Sequence, residues 1–345
     1  MLPEPRISWP EGESRRSGFE TSWAQLQRSA GTSGPGWDPA EPWIRASRAA
    51  HQARDASASP ELVECLLDGT CSTVAPPPQE ARWPAARVAI VTLCAYNRSH
   101  TSITARSMAN RLAYCGRHGY HCVLETSRKP GHSLPPAWDK VELLRRHQGA
   151  AEWVAWVDCD SFFTNFSLPL EGVLARAGVL GAPEEAAADG AQGEGTAVLV
   201  ASEDGASLNT GVLLLRRSPE GARVLEEVWE AAATGFGEHP WWEQAAFIDA
   251  LTLGRAADEL DGRVVMLPQG AINGYAPELA AKLNWRGRPL HAVWRRGDLI
   301  VSFSGCARMT GSSDTCESLL AAADSEWRLA QQADSRFPTQ AVFVP

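Results

Sequence analysis

Trp153-Val-Ala-Trp-Val-Asp-Cys-Asp-Ser-Phe-Phe163 runs an apolar stretch directly into two carboxylates spaced i and i+2. The stretch predicts a buried strand over 153–158, and side chains two apart on an extended backbone share a side. Asp158 and Asp160 are therefore expected to face one way where the strand leaves its sheet. Hard cations such as Mn²⁺ or Mg²⁺ favour oxygen ligands and complete their shell with substrate phosphates, so the pair outlines a diphosphate site. Asp-x-Asp alone is frequent by chance, and a solvated turn is its bland reading; the rest of the chain decides between the two.

On the amino-terminal side, residues 87–94 (RVAIVTLC) read as a strand buried on both faces. Residues 102–118 then have helical periodicity ending at Gly119. A short strand at 121–124 and a helix over 137–146 continue the alternation. This predicts an α/β fold with a mostly parallel sheet flanked by helices, and places the carboxylates at the strand ends where open α/β sheets bind ligands. On the other side, residues 183–195 read as a surface insert, and Leu208-Asn-Thr-Gly as a polar turn before a buried strand. An amphipathic helix follows from Pro219 to about residue 233. His239-Pro-Trp-Trp-Glu-Gln opens another helix with Glu243 and Gln244 in its first turn. The tryptophans there, Trp241 and Trp242, either supply a flat face for a ligand or serve as core and helix staple. A strand at 264–267, a loop at Asn273-Gly-Tyr and the segment 294–306 complete the pattern.

The chain has 345 residues, 21% of them charged, and a formal net charge of −9. That balance argues against a general nucleic-acid surface and makes any anion site local. No stretch reaches the roughly 18 apolar residues of a membrane span, and the first residues lack a signal peptide's apolar centre, so the chain reads as soluble. Three regions are expected: a Pro/Gly/Ser-rich, partly disordered amino-terminal region and linker over 1–85, a catalytic domain over 86–330, and a tail over 331–345. Eight cysteines show no Cys-x-x-Cys pair, which argues against structural zinc. Cys306 and Cys316 are the expected disulfide, whereas Cys94 and Cys159, set in apolar runs, are expected to be buried thiols. Asn97 and Asn165 head glycosylation sequons that matter only in a secretory lumen.

Several motifs, in order, resemble glycosyltransferase family 34, the retaining α-galactosyl-, α-mannosyl- and xyloglucan α-xylosyltransferases. They are Asn110-Arg-Leu-Ala-Tyr-Cys-Gly-Arg-His-Gly-Tyr120, Trp138-Asp-Lys140, Trp156-Val-Asp-Cys-Asp160 with Asn165, Asn209-Thr-Gly-Val with Arg216, Glu243-Gln244, and Gly297-Asp298 followed by Phe303-x-Gly-Cys306. The resemblance spans about residues 87–325. It implies a GT-A fold, a nucleotide-sugar donor with UDP-sugars first, a glycan or polysaccharide acceptor, and a Mn²⁺-type metal on Asp158 and Asp160. By the same carry-over Gln244 lies near the anomeric carbon and Glu243 positions hydroxyls. Asn209, Gly211, Lys140, Arg216, Trp242, Asp298 and Gly305 belong to the donor side, with Lys140 and Arg216 alternatively structural ion-pair partners and Asn209 alternatively a turn residue. The resemblance further implies work in the Golgi at a membrane, although this chain shows no anchor; self-association stays open.

The family's closing motif normally reads His-Phe-x-Gly-Cys, with the His as third metal ligand. Ser302 occupies that place, and Ala307 replaces a basic residue that often follows, with Arg308 one position later. A neutral hydroxyl is a poorer ligand than imidazole, so the metal either rests on two carboxylates, phosphates and water or binds more weakly. Two alternatives stand beside an active transferase. One is a transferase-like binding protein without turnover. The other is a Mg²⁺-dependent haloacid-dehalogenase-type phosphatase, whose motif wants Thr or Val where Phe162 stands.

Overall fold

In a computed structural model the chain is described from residue 87 to 333, except 96–100, 129–131, 181–196, 204–207 and short stretches between 240 and 309. The region 1–85 with Cys65 and Cys71, the Asn97 sequon, the insert at 183–195, Ala307, Arg308 and the tail beyond 333 lie outside the described residues. The elements in chain order are β1 (Val88–Leu93), α1 (Thr101–His118), β2 (His121–Glu125), α2 (Asp139–His147), β3 (Trp153–Val157), β4 (Ser161–Phe163), α3 (Leu170–Arg176), β5 (Leu199–Glu203), β6 (Leu208–Arg216), α4 (Pro219–Ala231), α5 (Trp242–Thr252), β7 (Val264–Leu267), α6 (Gln269–Ile272), β8 (Gly274–Tyr275), α7 (Pro277–Ala280), β9 (Asn284–Trp285), β10 (Arg288–Pro289), β11 (Ile300–Ser302) and α8 (Ser313–Ala333).

The main sheet has the order β2-β1-β3-β6-β5-β7. All its neighbours are parallel except β6, which runs against both β3 and β5. This is an α/β fold with a mostly parallel sheet flanked by helices. Alternation along the strands feeds two cores: Val154 and Trp156 of β3 join residues of α2, α4 and α5, while Trp153, Ala155 and Val157 join residues of α1 and α3 with Trp327 of α8. Both faces are thus covered, which is why β1 and β3 read as unbroken apolar runs. Fully burying one such aromatic or aliphatic side chain contributes about 1.5–3 kcal/mol. A smaller sheet, β4-β11-β8, continues from the carboxyl end of β3.

Local signals set the boundaries. Gly119 takes the left-handed conformation (φ 70°) and the Tyr120 N–H donates to the Cys115 carbonyl at 3.0 Å, a Schellman close to α1. Ser218 caps α4 by accepting from the Gly221 N–H at 3.0 Å, with Pro219 in the first turn.

Two expectations are corrected. Leu208-Asn-Thr-Gly is not a turn: it is the start of β6, buried and paired with β5 across a register shift between Ala201 and Ser202. Its polar side chains stay in the strand because they bond one another and the neighbouring loop, as described below. Cys94 and Cys159 are not thiols but a disulfide, and Cys115–Cys122 is a second; Cys306–Cys316 is bonded as expected. Burial in an apolar run had suggested free thiols, but the adjacency of β1 and β3 brings Cys94 and Cys159 together. No helix among the described residues is long and apolar enough to cross a membrane.

Candidate active site

The site starts where β3 ends. The Asp158 N–H donates to the Gly211 carbonyl at 2.8 Å, which joins the turn to β6, and the Phe303 N–H donates to the Asp160 carbonyl at 2.9 Å, which joins it to the segment after β11. Beneath the turn lies Arg111, fully buried in α1. Its Nη2 donates to the Asp158 carbonyl at 2.6 Å and to the Ser161 carbonyl, and its Nε and Nη1 reach Thr92 and Asn110. Burial lowers its guanidinium to about 9, although Asp160 and Asp158 oppose the shift. Burial, and then the charge of Asp158, push the Asp160 carboxyl up to about 7.

Asp158 is shared among several groups. Its Oδ1 accepts from Trp156 Nε1 at 2.6 Å and lies 3.4 Å from Lys140 Nζ. Its Oδ2 lies over Gly211, where a Cβ would come within 3.1 Å of it and within 2.9 Å of Asn209 Oδ1. Glycine therefore leaves space beside the carboxylate. Two carboxylates, with that space next to one of them, suit a hard divalent cation with open positions for phosphate and water.

Lys140 ties this turn to α5. Its ammonium donates to Glu243 Oε1 at 2.9 Å and to the Thr210 carbonyl at 2.9 Å, and Thr210 Oγ1 also donates to Glu243 Oε1 at 3.1 Å. Burial would lower Lys140, but Asp158 and Glu243 outweigh it and hold the ammonium above its ordinary value. Gln244 Oε1 accepts from the Thr210 N–H at 3.4 Å, which places its amide beside the start of β6. The structure thus brings Asp158, Asp160, Lys140, Glu243, Gln244 and Gly211 together. Asn209 belongs to the same corner: its Oδ1 accepts from the Gly211 N–H at 2.7 Å and from Asn273 Nδ2 at 2.6 Å, and its Nδ2 donates to Tyr275 Oη at 3.4 Å. The two tryptophans separate. Trp241 packs against the core, whereas Trp242 is 45% exposed and is the sole non-glycine among the described residues with positive φ, 43°.

Other expected residues stand elsewhere. Arg216 is at the far end of β6: the register pairs Val157 with Val212 and Trp153 with Arg216, and its guanidinium lies 3.5 Å from Glu152. The donor-side placement of Arg216 is corrected accordingly; β6 runs antiparallel, so its last residue points away from the carboxylates. Asp298 closes a tight turn, its Oδ2 accepting from the Arg295 N–H at 2.8 Å and its carbonyl accepting from Thr164 Oγ1 at 2.8 Å. It adjoins the end of β4 opposite the carboxylate turn. Gly305 follows Phe303 in an exposed turn with φ 72°. Ser302 is fully buried, and its hydroxyl meets Ser304 Oγ at 3.0 Å and Ser161 Oγ at 3.4 Å.

Arg111, Thr210, Trp156 and Asn273 were not singled out from sequence as site residues. Arg111, Trp156 and Thr210 stand inside the family motifs and Asn273 opens the loop before Tyr275, so their neighbourhood was visible while their partners were not. A separate cluster, His132, Asp139 and Glu142, has ligand atoms within 4.8 Å of one another. Arg128 already grips Asp139 through Nε and Nη2, at 2.5 and 3.0 Å. His132 Nδ1 accepts from the Leu134 N–H at 3.1 Å. That leaves the proton of a neutral ring on Nε2, 3.2 Å from Asp139 Oδ1 and 3.5 Å from Glu142 Oε2 without a hydrogen bond to either, while Arg128 holds the Asp139 carboxylate.

The sequence model of the galactosyl transferase GMA12/MNN10 family matches residues 85–313. That match sets aside the phosphatase alternative. Among solved structures, the chain is similar to a glycosyltransferase involved in the glycosylation of the major capsid of PBCV-1, at 15% identity over 70% of this chain and 98% of that one, with a TM-score of 0.45. It is also similar to the glycosyltransferase GlyE in Streptococcus pneumoniae TIGR4, at 12% identity over 74% of this chain and 66% of that one, with a TM-score of 0.41. No curated protein sequence matches the chain.

Proposed function

The chain belongs to the galactosyl transferase GMA12/MNN10 family, and from that premise we propose that it is a retaining α-glycosyltransferase. It moves a hexose or pentose from a nucleotide-diphosphate sugar, UDP-sugars first, to a hydroxyl of a glycan or polysaccharide. The observation that carries this reading is the linkage of the Asp158–Asp160 turn through Lys140 and Thr210 to Glu243 and Gln244. One corner of the fold then holds both a cation-type carboxylate pair and an acid–amide pair able to meet a sugar.

Asp158 and Asp160 would hold Mn²⁺ or Mg²⁺, which when bound offsets the negative charge that a departing nucleoside diphosphate develops. The other roles fall to this chain's own groups. Glu243 is 4% exposed and fixed from two sides by Lys140 and Thr210, so its carboxylate is oriented before any sugar arrives. Gln244 stands next to it and would lie near the anomeric carbon of a bound donor. Asn209 acts by holding Gly211 and Asn273 in place. Trp242 offers an exposed ring to a sugar face, and its backbone is held in a conformation that a bulky residue adopts only at a cost of about 1–3 kcal/mol. Ser302, occupied with two serines, is a support of the loop, so phosphate and water would complete the cation's shell. The three disulfides among the described residues suit an oxidising lumen, in keeping with the Golgi.

The engaged Ser302 hydroxyl also favours a second reading, a transferase-like binding protein without turnover. Release of nucleoside diphosphate from a panel of UDP- and GDP-sugars, with an oligosaccharide acceptor mixture, separates the two. Metal-dependent release is expected for the wild type. Metal-dependent UDP binding without release from any donor favours the binding protein, and no metal-dependent nucleotide binding counts against both.

A further inference from the structure

Cys159 is the residue between the two carboxylates, and it is not a passive spacer. β1 and β3 pair in parallel as far as Val91 and Trp156. The same register, three residues on, brings Cys94 opposite Cys159, and the two are bonded with their Cα atoms 5.1 Å apart. Between them Thr92 Oγ1 donates to the Val157 carbonyl at 2.8 Å, so the strands stay tied beyond the ladder. Cys94 is 1% exposed and Cys159 4%, in a cluster with Ile103, Phe162, Val301 and Phe303.

Each neighbouring residue of the turn has its own anchor: the carbonyls of Asp158 and Ser161 on Arg111, that of Asp160 on the Phe303 N–H. The crosslink adds the one anchor that hydrogen bonds do not supply, at the centre. Two like charges two residues apart repel, and a turn held only by hydrogen bonds relaxes by splaying them. A covalent tie to β1 blocks that relaxation at the residue where the backbone would give.

We propose that the Cys94–Cys159 crosslink is a positioning device for the cation: it holds Asp158 and Asp160 at the separation that a divalent ion on a nucleoside diphosphate requires. Cys94 and Cys159 are positioning residues that touch neither ion nor sugar. The proposal rests on the transferase reading above. It separates from a merely structural role because Cys115–Cys122, which ties α1 to β2 away from the carboxylates, stabilises the fold without this duty.

The test measures Mn²⁺-dependent UDP binding by calorimetry and cooperative unfolding by circular dichroism, on the full chain. Variants are Cys94→Ala/Cys159→Ala, Cys94→Ala/Cys159→Val to refill the space of the sulfurs, and Cys115→Ala/Cys122→Ala. The expected result is a loss of about tenfold or more in Mn²⁺-dependent UDP affinity for a folded Cys94/Cys159 variant, against unchanged affinity for the Cys115/Cys122 variant. Equal affinity in all folded variants overturns the proposal, and so does failure of both Cys94/Cys159 variants to fold, since the bond is then a stabiliser. A wild type that binds no UDP with Mn²⁺ instead defeats the transferase reading on which the proposal stands.

Discussion

The two ends of β3 handle charge in opposite ways. At the amino end, Arg87 meets Glu152 through Nε and Nη2 at 2.5 and 2.6 Å, and Arg216 approaches the same carboxylate at 3.5 Å, all three side chains a quarter to a third exposed. At the carboxyl end, Asp158, Asp160 and Glu243 stand with Lys140 and Arg111. Once Asp160 is ionised, above about pH 7, three carboxylates against two cations leave one negative charge unmatched there. Water shares the work at the first end; at the second it reaches the partly exposed Asp158 and Asp160 but is excluded from Lys140, Glu243 and Arg111 around them. A partly enclosed surplus of one sign costs stability, and such a cost is characteristic of a surface shaped for a ligand of the opposite sign. The comparison teaches where this fold is built for itself and where it is built for something that binds.

The sharpest way to break the comparison is to remove a cation from the crowded end. Lys140→Met leaves Glu243 and Asp158 without their shared partner in a buried setting, and the expected cost is about 3–5 kcal/mol of unfolding free energy. Adding Glu243→Gln to that variant should recover a measurable part of the loss. Urea unfolding of the two variants checks this. An equal cost with and without Glu243→Gln would mean that Lys140 answers chiefly to Asp158.

Removing a negative charge should act in the reverse sense. Asp160 titrates near 7 in the fold against an ordinary 3.8. Its folded value is raised, so its contribution to stability is fully present below about 3.8 and is lost as the pH climbs through 7. With chelator at pH 8, Asp160→Asn is expected to be more stable than wild type by about 2 kcal/mol, a figure discounted from the full shift for solvent screening. On the proposed reading, in which the two carboxylates hold the cation, the same variant should lose Mn²⁺-dependent UDP binding by more than about a hundredfold. Melting curves at pH 5 and pH 8 decide it: an Asp160→Asn protein that melts below wild type at pH 8 would refute the surplus-charge account.

Two glycines sharpen the contrast at lower cost. At Gly211 an added Cβ meets side-chain oxygens of Asn209 and Asp158 at 2.9 and 3.1 Å, which can yield by small shifts. Gly211→Ala should cost about 1–2 kcal/mol and weaken metal-dependent UDP binding by about tenfold. Gly221, beside the far end of β6, would put its Cβ 2.3 Å from the rigid Arg216 carbonyl. Gly221→Ala should destabilise at least as much, yet leave nucleotide affinity unchanged in the folded protein. Parallel effects on both quantities at both positions would erase the distinction between the ends.

The same contrast explains what could be read from the residues alone. β1, β3, β7 and α1 were readable because burial on both faces, helical periodicity and Gly119 write their signals locally. The carboxylate pair was visible because it follows a strand, but β3 stops at Val157 and the Ser161 N–H on the Asp158 carbonyl at 3.1 Å makes the pair part of a turn, so alternation does not set its direction. Partnerships across the sheet were not visible. That Cys94 meets Cys159, that Lys140 reaches Glu243, and that Arg216 is carried away from the site all depend on strand order and on β6 running antiparallel, which no local pattern encodes. Asn209 illustrates the limit: the polar run that opens β6 looks like a turn, and it stays in the strand because Asn273, Tyr275 and Gly211 satisfy its amide.

The smallest expected effect lies at the quiet end. Arg216→Ala removes a guanidinium that is a quarter exposed and 3.5 Å from its carboxylate, while Arg87 remains on Glu152 at shorter range. Four residue steps of β3 lead from its register partner Trp153 to Val157, a path of about 13 Å along the strand. At physiological salt that exceeds the screening length of about 8 Å, so its charge should not be felt at the Asp158–Asp160 turn. The expected cost is below about 1 kcal/mol, with Mn²⁺-dependent UDP affinity and sugar transfer unchanged within error. Side-by-side unfolding and calorimetry of Arg216→Ala and wild type provide the check. A tenfold loss of nucleotide affinity without a loss of stability would move Arg216 back into the donor site and require β6 to deliver its far end to the ligand, against the antiparallel register that now separates the two.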